Sequence, residues 1–485
     1  MLKSTVILCL LILPAVFSRL IIYPSAPGAP KSDKFQVFLT QGSGGQQESF
    51  VYITSSDHRQ NQSSSDIPGR TLSWTSFAFT EKPVKVDVLA QNDFNACLVR
   101  PTRYRIGCIR SGPKRATFTV ASNASMMSVE FDNDQTGPDK DITDKLLVFA
   151  DAPESSVPSK DDPSVLYYDV GMHDLNGQLA IPEGVKEVYL APGAFVEGGF
   201  ITTASHPVTI HGRGVLDTRQ YVWHDTRFRW AIINMDQGSD HIIEGITLVD
   251  SMQFFIRALS DHVTISNVKT VGAWVYNNDG ISVGFGSVVR DSFIHANDDS
   301  IKLYASNVEV TRCVVWQAQN GAVFQFGWWP TRTVQRVLVT SVDVIHTDWC
   351  TFKGKNCHIS PNDAVVDLAG NTTLLQVSDL EFRDVRVEGF CPRIFNFKMA
   401  PLATGTVSDV MFSDWNVESQ SAANSSLHNE ISGVGEKGRI ENWHFVNFVV
   451  GRLCVFDPSK ANFDIDPNTT SNVNFLCPKL VGDSD

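Results

Sequence analysis

The sequence predicts an all-β protein in which an N-terminal antiparallel β-sandwich precedes a parallel β-helix. Two observations carry this prediction. Short alternating strands broken by Gly, Pro, Asn and Asp fill residues 19 to 150. From residue 243 onward a short pattern recurs, in which an apolar residue, a variable residue and a small polar or charged residue are followed by another apolar residue. The 30 Phe residues and the many Val, Ile and Thr residues also favour strands over helices.

Length and charge narrow the classes of protein and partner. A chain of 485 residues exceeds one ordinary core, which favours two domains or an extended repeat. A hydrophobic content of 42% and a charged content of 19% are typical of a globular protein. The net charge of −13 makes nucleic acid and anionic membranes poor partners. We therefore expect a monomer that acts on a neutral substrate.

The first eighteen residues, MLKSTVILCLLILPAVFS, have the pattern of a secretory signal peptide. Lys3 is the charged start, and Val16 and Ser18 are acceptable at the cleavage site. The apolar run is shorter than the roughly 20 residues that span a bilayer, although an uncleaved anchor is the alternative. We predict residues 1–18 as a signal peptide and the protein as secreted.

Cysteine usage agrees with secretion. Eight cysteines follow the signal, and an even number permits disulfides in a secreted chain. Local spacing favours Cys97–Cys108 and Cys350–Cys357, with Cys454–Cys477 as a third, more widely spaced pair. Zinc is disfavoured because no C-x-x-C pair occurs, and we predict no metal and no cofactor. Candidate glycan sites occur at Asn61, Asn123, Asn371, Asn424 and Asn468.

The N-terminal region predicts the sandwich. Its strand segments are FQVFLT, SFVYIT, VKVDVLA, ATFTVA, MMSVEF and KLLVFA. Several strands at such spacing, separated by turn residues, are typical of an antiparallel sandwich. The polar stretch DAPESSVPSKDDPS (151–164) indicates a long loop or linker. We therefore place the sandwich at residues 19–160 and the β-helix at residues 161–485.

The recurring apolar pattern predicts the β-helix. It reads IEGITL (243–248), ISNVKT (265–270), VRDSFI (289–294) and VTRCVV (310–315), and four further copies follow. The fourth residues fall at 246, 268, 292, 313, 342, 385, 415 and 448. The first steps of 22, 24 and 21 residues match one coil, and the longer later steps indicate loop insertions. No long segment has a 3.6-residue apolar stripe, which disfavours helical solenoids.

Three acids lie one coil apart in WVYNNDGISVGFGSVVRDSFIHANDDSIKL (274–303), namely Asp279, Asp298 and Asp299. Neighbouring coils lie about 4.8 Å apart, so the three carboxylates should meet. Adjacent strand residues face opposite sides, so the chain must bend at 297–299 for both members of the pair to share one cleft. Clustered carboxylates repel, which leaves one protonated and another ionised, as glycoside hydrolysis requires. Acidic turns that bond their own backbone or hold calcium are the alternatives.

Aromatic, amide and basic residues surround these acids. Aromatic faces stack on sugar rings and amides bond hydroxyl groups, although each ring could equally be a core residue and the lysine a surface residue. The lysine could also hold a carboxylate ionised. No motif of a serine hydrolase, zinc protease or P-loop protein occurs. The predicted substrate-binding residues are Trp274, Tyr276, Asn278, Lys302, Tyr304, Asn320, Gln325, Trp328 and Trp329.

N-N-D-G followed one coil later by N-D-D-S-x-K resembles glycoside hydrolase family 49, the dextranase and isopullulanase family, over nearly the whole mature chain. The resemblance implies a right-handed β-helix after the sandwich. It also implies that Asp298 is the general acid and that Asp279 and Asp299 hold and activate water. The expected reaction is internal, inverting cleavage of α-1,6 linkages in dextran, or cleavage of pullulan. Inverting carboxyl groups usually lie about 6.5–9.5 Å apart.

Three alternatives stay open. Polygalacturonases are also β-helices with an Asp pair, but they usually add G-H-G and R-I-K. Here the coil after the acids reads QNGAVFQFGWW (319–329), and Arg393-Ile394 continues into Phe395. A polysaccharide lyase would need a calcium cluster or a basic residue beside a uronate. A non-catalytic glycan-binding β-helix would need no acid triad.

Overall fold

The computed structural model describes residues 19–55, 71–132, 145–272, 277–328, 331–349, 362–368, 374–420 and 427–478. It confirms the predicted fold class, a β-sandwich followed by a parallel β-helix. The predicted signal peptide at 1–18 lies outside the described residues. Within the described ranges, no helix has the length and apolar character that crossing a bilayer requires.

The N-terminal strands form two sheets. In chain order they are β1 (Leu20–Ile22), β2 (Phe35–Gln41), β3 (Gln47–Ser49), β4 (Tyr52–Ile53), β5 (Leu72–Phe79), β6 (Val84–Ala90), β7 (Cys97–Arg100), β8 (Ile109–Gly112), β9 (Arg115–Val120), β10 (Ser125–Phe131) and β11 (Lys145–Asp151), with a 3₁₀ turn at Thr102–Tyr104. One sheet has the order β1-β5-β11-β10-β7 with β4 on β5, and the other has the order β3-β2-β6-β9-β8. All these pairs are antiparallel except β5 with β11. Alternating burial along β6 shows one face turned to the shared core.

The β-helix strands follow from residue 165. The first are β12 (Val165–Tyr168), β13 (Gly171–Ala180), β14 (Glu187–Leu190), β15 (Ala194–Thr202), β16 (Thr209–Gly212), β17 (Val215–Asp217), β18 (Ala231–Met235), β19 (Ile242–Glu244), β20 (Thr247–Val249), β21 (Phe254–Ala258), β22 (Thr264–Ser266), β23 (Lys269–Val271), β24 (Ile281–Val283), β25 (Val288–Arg290), β26 (Phe293–Ala296) and β27 (Ile301–Lys302). The rest are β28 (Glu309–Thr311), β29 (Val314–Gln317), β30 (Phe324–Gln325), β31 (Thr331–Thr347), β32 (Val366–Asp367), β33 (Leu374–Cys391), β34 (Phe395–Lys398), β35 (Thr404–Gln420), β36 (Asn429–Ser432), β37 (Gly438–Val450), β38 (Leu453–Cys454), β39 (Phe463–Ile465) and β40 (Thr470–Leu476), with a 3₁₀ turn at Pro458–Ala461.

Each coil contributes to three parallel ladders. The first ladder contains β14, β16, β19, β22, β25 and β28, and the second contains β17, β20, β23, β26 and β29. The third contains β18, β21, β24, β27, β30, β32 and β34. The predicted repeat is confirmed, because Val342, Val385, Trp415 and Phe448 fall in one register.

A column of aromatic rings fills the later coils. Phe382 stacks on Phe412 at 5.1 Å between ring centroids, and Phe412 stacks on Phe445 at 4.9 Å. Phe445 in turn stacks on Phe475 at 4.3 Å. Parallel register produces this column because it repeats the same inward position on each coil. The rings therefore replace the aliphatic residues that fill the earlier coils.

The sandwich packs on the second ladder. Tyr52 and Phe149 of the sandwich contact Phe195 and Phe293 of the β-helix in one apolar cluster. At the same junction, the ammonium of Lys269 lies 2.6 Å from Asp151 Oδ1, and both side chains are buried. The outward side of the third ladder is a different face of the coil, and it lines the cavity that forms the candidate site.

Two of the three predicted disulfides are confirmed, Cys97–Cys108 and Cys454–Cys477. Cys350 and Cys357 lie outside the described residues. Cys313 and Cys391 are free and buried. Burial raises the pKa of both thiols to about 12, so neither is poised for thiolate chemistry.

Replacing Phe412 by Ala should lower the free energy of unfolding by about 3–5 kcal/mol, because the side chain is fully buried between two stacked rings and its loss leaves a cavity. Urea denaturation followed by fluorescence measures the change. Phe456→Ala is the matched control, since Phe456 is 69% exposed. Equal losses in the two variants would contradict a stability role for the aromatic column.

Candidate active site

A cavity of about 660 Å³ lies on the outward side of the third ladder. Its walls come from β21, β24 and β27 and from the segments that connect them to neighbouring strands. All three acids predicted from the sequence line it, namely Asp279, Asp298 and Asp299. Coil stacking therefore brings the triad together in one cleft, as the interval of 19 to 20 residues predicts.

Parallel register places Asp279 above Asp299. Ile281 pairs with Ile301, and each acid lies two residues before its isoleucine. The backbone N–H of Gly280 donates to the carbonyl of Asp299 at 2.9 Å, which continues the ladder past the acids. The two carboxylates therefore occupy equivalent positions on adjacent coils.

The predicted bend at 297–299 is confirmed. β26 ends at Ala296 and β27 begins at Ile301, so Asp298 and Asp299 lie on a non-strand segment and both face the cavity. The N–H groups of Asn297 and Asp298 both donate to the carbonyl of Asn278 at 3.1 Å. This double contact ties the bend to the preceding coil.

Gly321 is required beneath the bend. Its φ of +79° is one that side-chain-bearing residues rarely adopt, and a Cβ would lie 2.5 Å from backbone atoms of both Asp298 and Asp299. Only glycine lets the next coil approach the acid pair this closely.

Lys302 neutralises part of the acid cluster. Its ammonium lies 2.6 Å from Asp279 Oδ2 and 2.5 Å from Asp299 Oδ2. It also lies 5.3 Å from the ring centroid of Phe254 and 5.5 Å from that of Tyr304, within cation–π range. Burial acts to lower the pKa of Lys302, but the two carboxylates outweigh it and raise the pKa well above its ordinary value.

Asp298 is the acid that Lys302 does not bridge. Its Oδ1 accepts the backbone N–H of Asp299 at 2.9 Å, and its Oδ2 accepts the side-chain amide of Asn320 at 2.8 Å. Burial, and next the charge of Asp299, raise the pKa of Asp298 to about 7. Asp298 can therefore keep a proton up to neutral pH.

The other two acids differ in their hydrogen bonds. Asp299 Oδ1 accepts the N–H of Ala322 at 3.0 Å and the amide of Gln325 at 3.3 Å, in addition to the contact of Oδ2 with Lys302. Within the described residues, Asp279 Oδ1 has no hydrogen-bond partner. Burial raises the pKa of Asp279, with Lys302 opposing the shift and the other two carboxylates adding to it.

The three carboxylates are closer than predicted. One oxygen of each lies within 4.8 Å of the others, whereas an acid and base about 6.5–9.5 Å apart were expected. Asp298 and Asp299 are adjacent in the chain, and the parallel register places Asp279 over Asp299 on the neighbouring coil, which brings the three carboxylates together. Three clustered carboxylates could also bind a cation, and the Lys302 ammonium supplies the positive charge between two of them.

The predicted substrate-binding residues have mixed outcomes. Lys302, Tyr304, Asn320 and Trp328 line the cavity. Trp274, Tyr276 and Trp329 lie outside the described residues.

Two predicted contacts need correction. Asn278 is fully buried, and its amide donates to the carbonyls of Ser251 and Gln253 at 3.0 and 2.8 Å, so it fixes the turn before the acid. Gln325 is also fully buried, and its amide bonds Asp299 and Asp367. Both side chains support the cavity from beneath it and neither lines it.

Among the cavity residues that the sequence interpretation missed are Trp230, Phe254, Arg257 and Phe285. The register contains a signal for two of them. Phe254 occupies the ladder position of Asp279, two residues before Ile256, which pairs with Ile281. Phe285 follows Ile281 by four residues, as Trp328 follows Phe324. Aligning the coils on their buried inward residues would have found both.

Comparisons with known proteins find dextranases, an isopullulanase and a similar solved structure. No protein-family model matches the chain. Dextranase from Arthrobacter globiformis is 27% identical over 463 residues, covering 77% of this chain and 71% of that protein. Isopullulanase from Aspergillus niger is 26% identical over 411 residues, covering 72% of each. The structure of Dex49A from Penicillium minioluteum matches with a TM-score of 0.76 and 19% identity over 93% of this chain and 96% of that one, which shows the shared fold.

The raised pKa of Asp298 predicts a pH-dependent stability. Because the folded state holds this proton more tightly than the unfolded chain, protonated Asp298 stabilises the fold fully below about pH 4, and this stabilisation is lost as pH rises through about 7. Asparagine does not titrate. The free energy of unfolding of Asp298→Asn, relative to that of the unchanged protein, should therefore rise by at least about 1 kcal/mol between about pH 4 and pH 8. Urea denaturation at both pH values measures it. A constant difference between the two proteins would contradict the raised pKa.

Proposed function

We propose that this chain, a dextranase- and isopullulanase-like glycoside hydrolase, cleaves internal α-1,6-glucosidic linkages of dextran. The observation that carries the proposal is the buried cluster of Asp279, Asp298 and Asp299 around Lys302, in a cavity with exposed aromatic rings. A neutral glucan fits this cavity because aromatic faces bind sugar rings without needing substrate charge. Pullulan is the second candidate, since one relative is an isopullulanase.

The three acids have different roles in hydrolysis. Asp298 donates its proton to the glycosidic oxygen as the bond to the anomeric carbon breaks. Asp279 and Asp299 hold a water molecule, and its proton passes to one of them as its oxygen attacks that carbon. Lys302 bonds both members of the water-holding pair and opposes the rise in the pKa of Asp279, while Asp298 stays protonated.

We propose that the displacement inverts the anomeric carbon. The resemblance to the dextranase family supports inversion, whereas the carboxylate spacing within 4.8 Å is shorter than most inverting enzymes have. Asp279 and Asp299 both bond Lys302, so the pair acts on one water jointly. If the released anomer were retained, Asp279 would instead be the nucleophile.

Secretion is part of the proposal. Residues 1–18 have the signal-peptide pattern, and the disulfides Cys97–Cys108 and Cys454–Cys477 belong to proteins that fold in oxidising compartments. We propose that the mature protein acts outside the cell as a monomer.

Incubation with dextran, pullulan and polygalacturonate tests the substrate. We expect new reducing ends from dextran, with viscosity falling early because cleavage is internal, and β-anomers appearing first by proton NMR. Release from pullulan alone would favour the isopullulanase reading. Release from polygalacturonate with neither glucan cleaved would overturn the proposal.

Asp279→Asn, Asp298→Asn and Asp299→Asn should each lower kcat on dextran by about 10²-fold or more, as expected for general acid–base groups. Steady-state kinetics measure the loss, and circular dichroism checks that each variant folds. Asp33→Asn is the matched control, because Asp33 is an exposed sandwich residue. Full activity in the Asp298→Asn variant would remove Asp298 from the mechanism.

A further inference from the structure

Three cavity residues lie the same number of positions after strand residues that pair in register. Ile281, Ile301 and Phe324 pair in register on successive coils of the third ladder. Four residues after each come Phe285, Ala305 and Trp328, and all three line the cavity. We call these three residues the aromatic rim. It consists of two aromatic rings with a small residue on the coil between them.

The two rings of the rim are exposed, unlike the aromatic column of the core. Phe285 is 41% exposed and Trp328 is 42% exposed. Phe285 lies between Gly284 and Gly286, and its ring contacts His262 edge-on at 5.7 Å between centroids. Both rings are exposed inside the cavity that holds the three acids, so a ligand bound there can bury them.

The backbone of Trp328 is also unusual. Its φ of +78° lies in the left-handed region that bulky residues rarely adopt, and such conformations cost about 1–3 kcal/mol. They persist where the surrounding structure has a use for the direction in which the side chain points. Here that direction is into the cavity.

The residues of the aromatic rim lie on the coils that carry the acids and on the coil that follows them. Asp279 precedes Phe285 on one coil, the Asp298–Asp299 pair precedes Ala305 on the next, and Trp328 lies on the coil after that. Two coil steps of about 4.8 Å separate the backbones that carry the rings, or about 10 Å. Ala305 leaves open space at the level of the acid pair.

We propose that the aromatic rim sets the substrate register, with Phe285 and Trp328 stacking on sugar rings at either side of the bond that is cleaved. Ala305 leaves room for the ring whose linkage is cut. This inference rests on the proposed function and deepens it. Stacking on uncharged rings, in which sugar C–H groups meet an aromatic face, makes the rim a determinant for neutral glucans.

Phe285→Ala and Trp328→Ala should each raise KM for dextran by about threefold to tenfold while kcat falls less than twofold, because stacking holds the chain without joining the chemistry. Ala305→Trp should lower kcat/KM by more than tenfold, since an indole would fill the gap. Phe456→Ala is the control, an exposed aromatic residue outside the cavity that should leave both constants unchanged.

Binding is measured separately from catalysis in the Asp298→Asn background. Titration with isomalto-oligosaccharides should shift tryptophan fluorescence, and adding Trp328→Ala should weaken the affinity by the same threefold to tenfold. If dextran is cleaved but Phe285→Ala and Trp328→Ala behave like Phe456→Ala, the rim proposal is overturned and the proposed function stands. An effect confined to one ring overturns the two-sided register. If the unchanged protein cleaves no α-glucan, the proposed function falls and the rim proposal falls with it.

Discussion

The ammonium of Lys302 between Asp279 and Asp299 is the interaction on which the site depends. Three carboxylates buried this close together would otherwise repel and take up protons, because removing unpaired charges from water costs several kcal/mol. One lysine compensates two of them and leaves Asp298, which burial keeps protonated near neutral pH. The arrangement thus separates a proton donor, Asp298, from a water-holding pair that bonds Lys302.

Parallel coil stacking makes that interaction possible. The register that aligns Ile281 with Ile301 also aligns Asp279 with Asp299, and the bend at residues 297–300 turns Asp298 into the same cavity. Gly321 allows the following coil to support this bend from beneath. The sandwich packs on the second ladder and the cavity lies on the third, so the apolar junction stabilises the coils without entering the cleft.

The fold and the meeting of the three acids were predictable because both follow from the regular spacing of the apolar pattern along the chain. That spacing gives the number of residues in one coil, and acids separated by one coil lie next to each other on neighbouring coils. Side-chain direction at the turns has no such period, so the burial of Asn278 and Gln325 could not be predicted from their residue types. The short carboxylate spacing depends on how the side chains at the bend are turned, which the sequence pattern does not encode. Phe285 was missed because a single exposed ring has no motif.

Neutron diffraction from crystals grown at about pH 5.5 tests the central claim most directly, since that pH lies below the pKa of about 7 at Asp298. It locates the deuterons on the acid cluster and on Lys302. We expect a deuteron on the carboxyl of Asp298 and three on the Lys302 nitrogen. A bare Asp298 carboxylate or a neutral Lys302 would contradict this assignment.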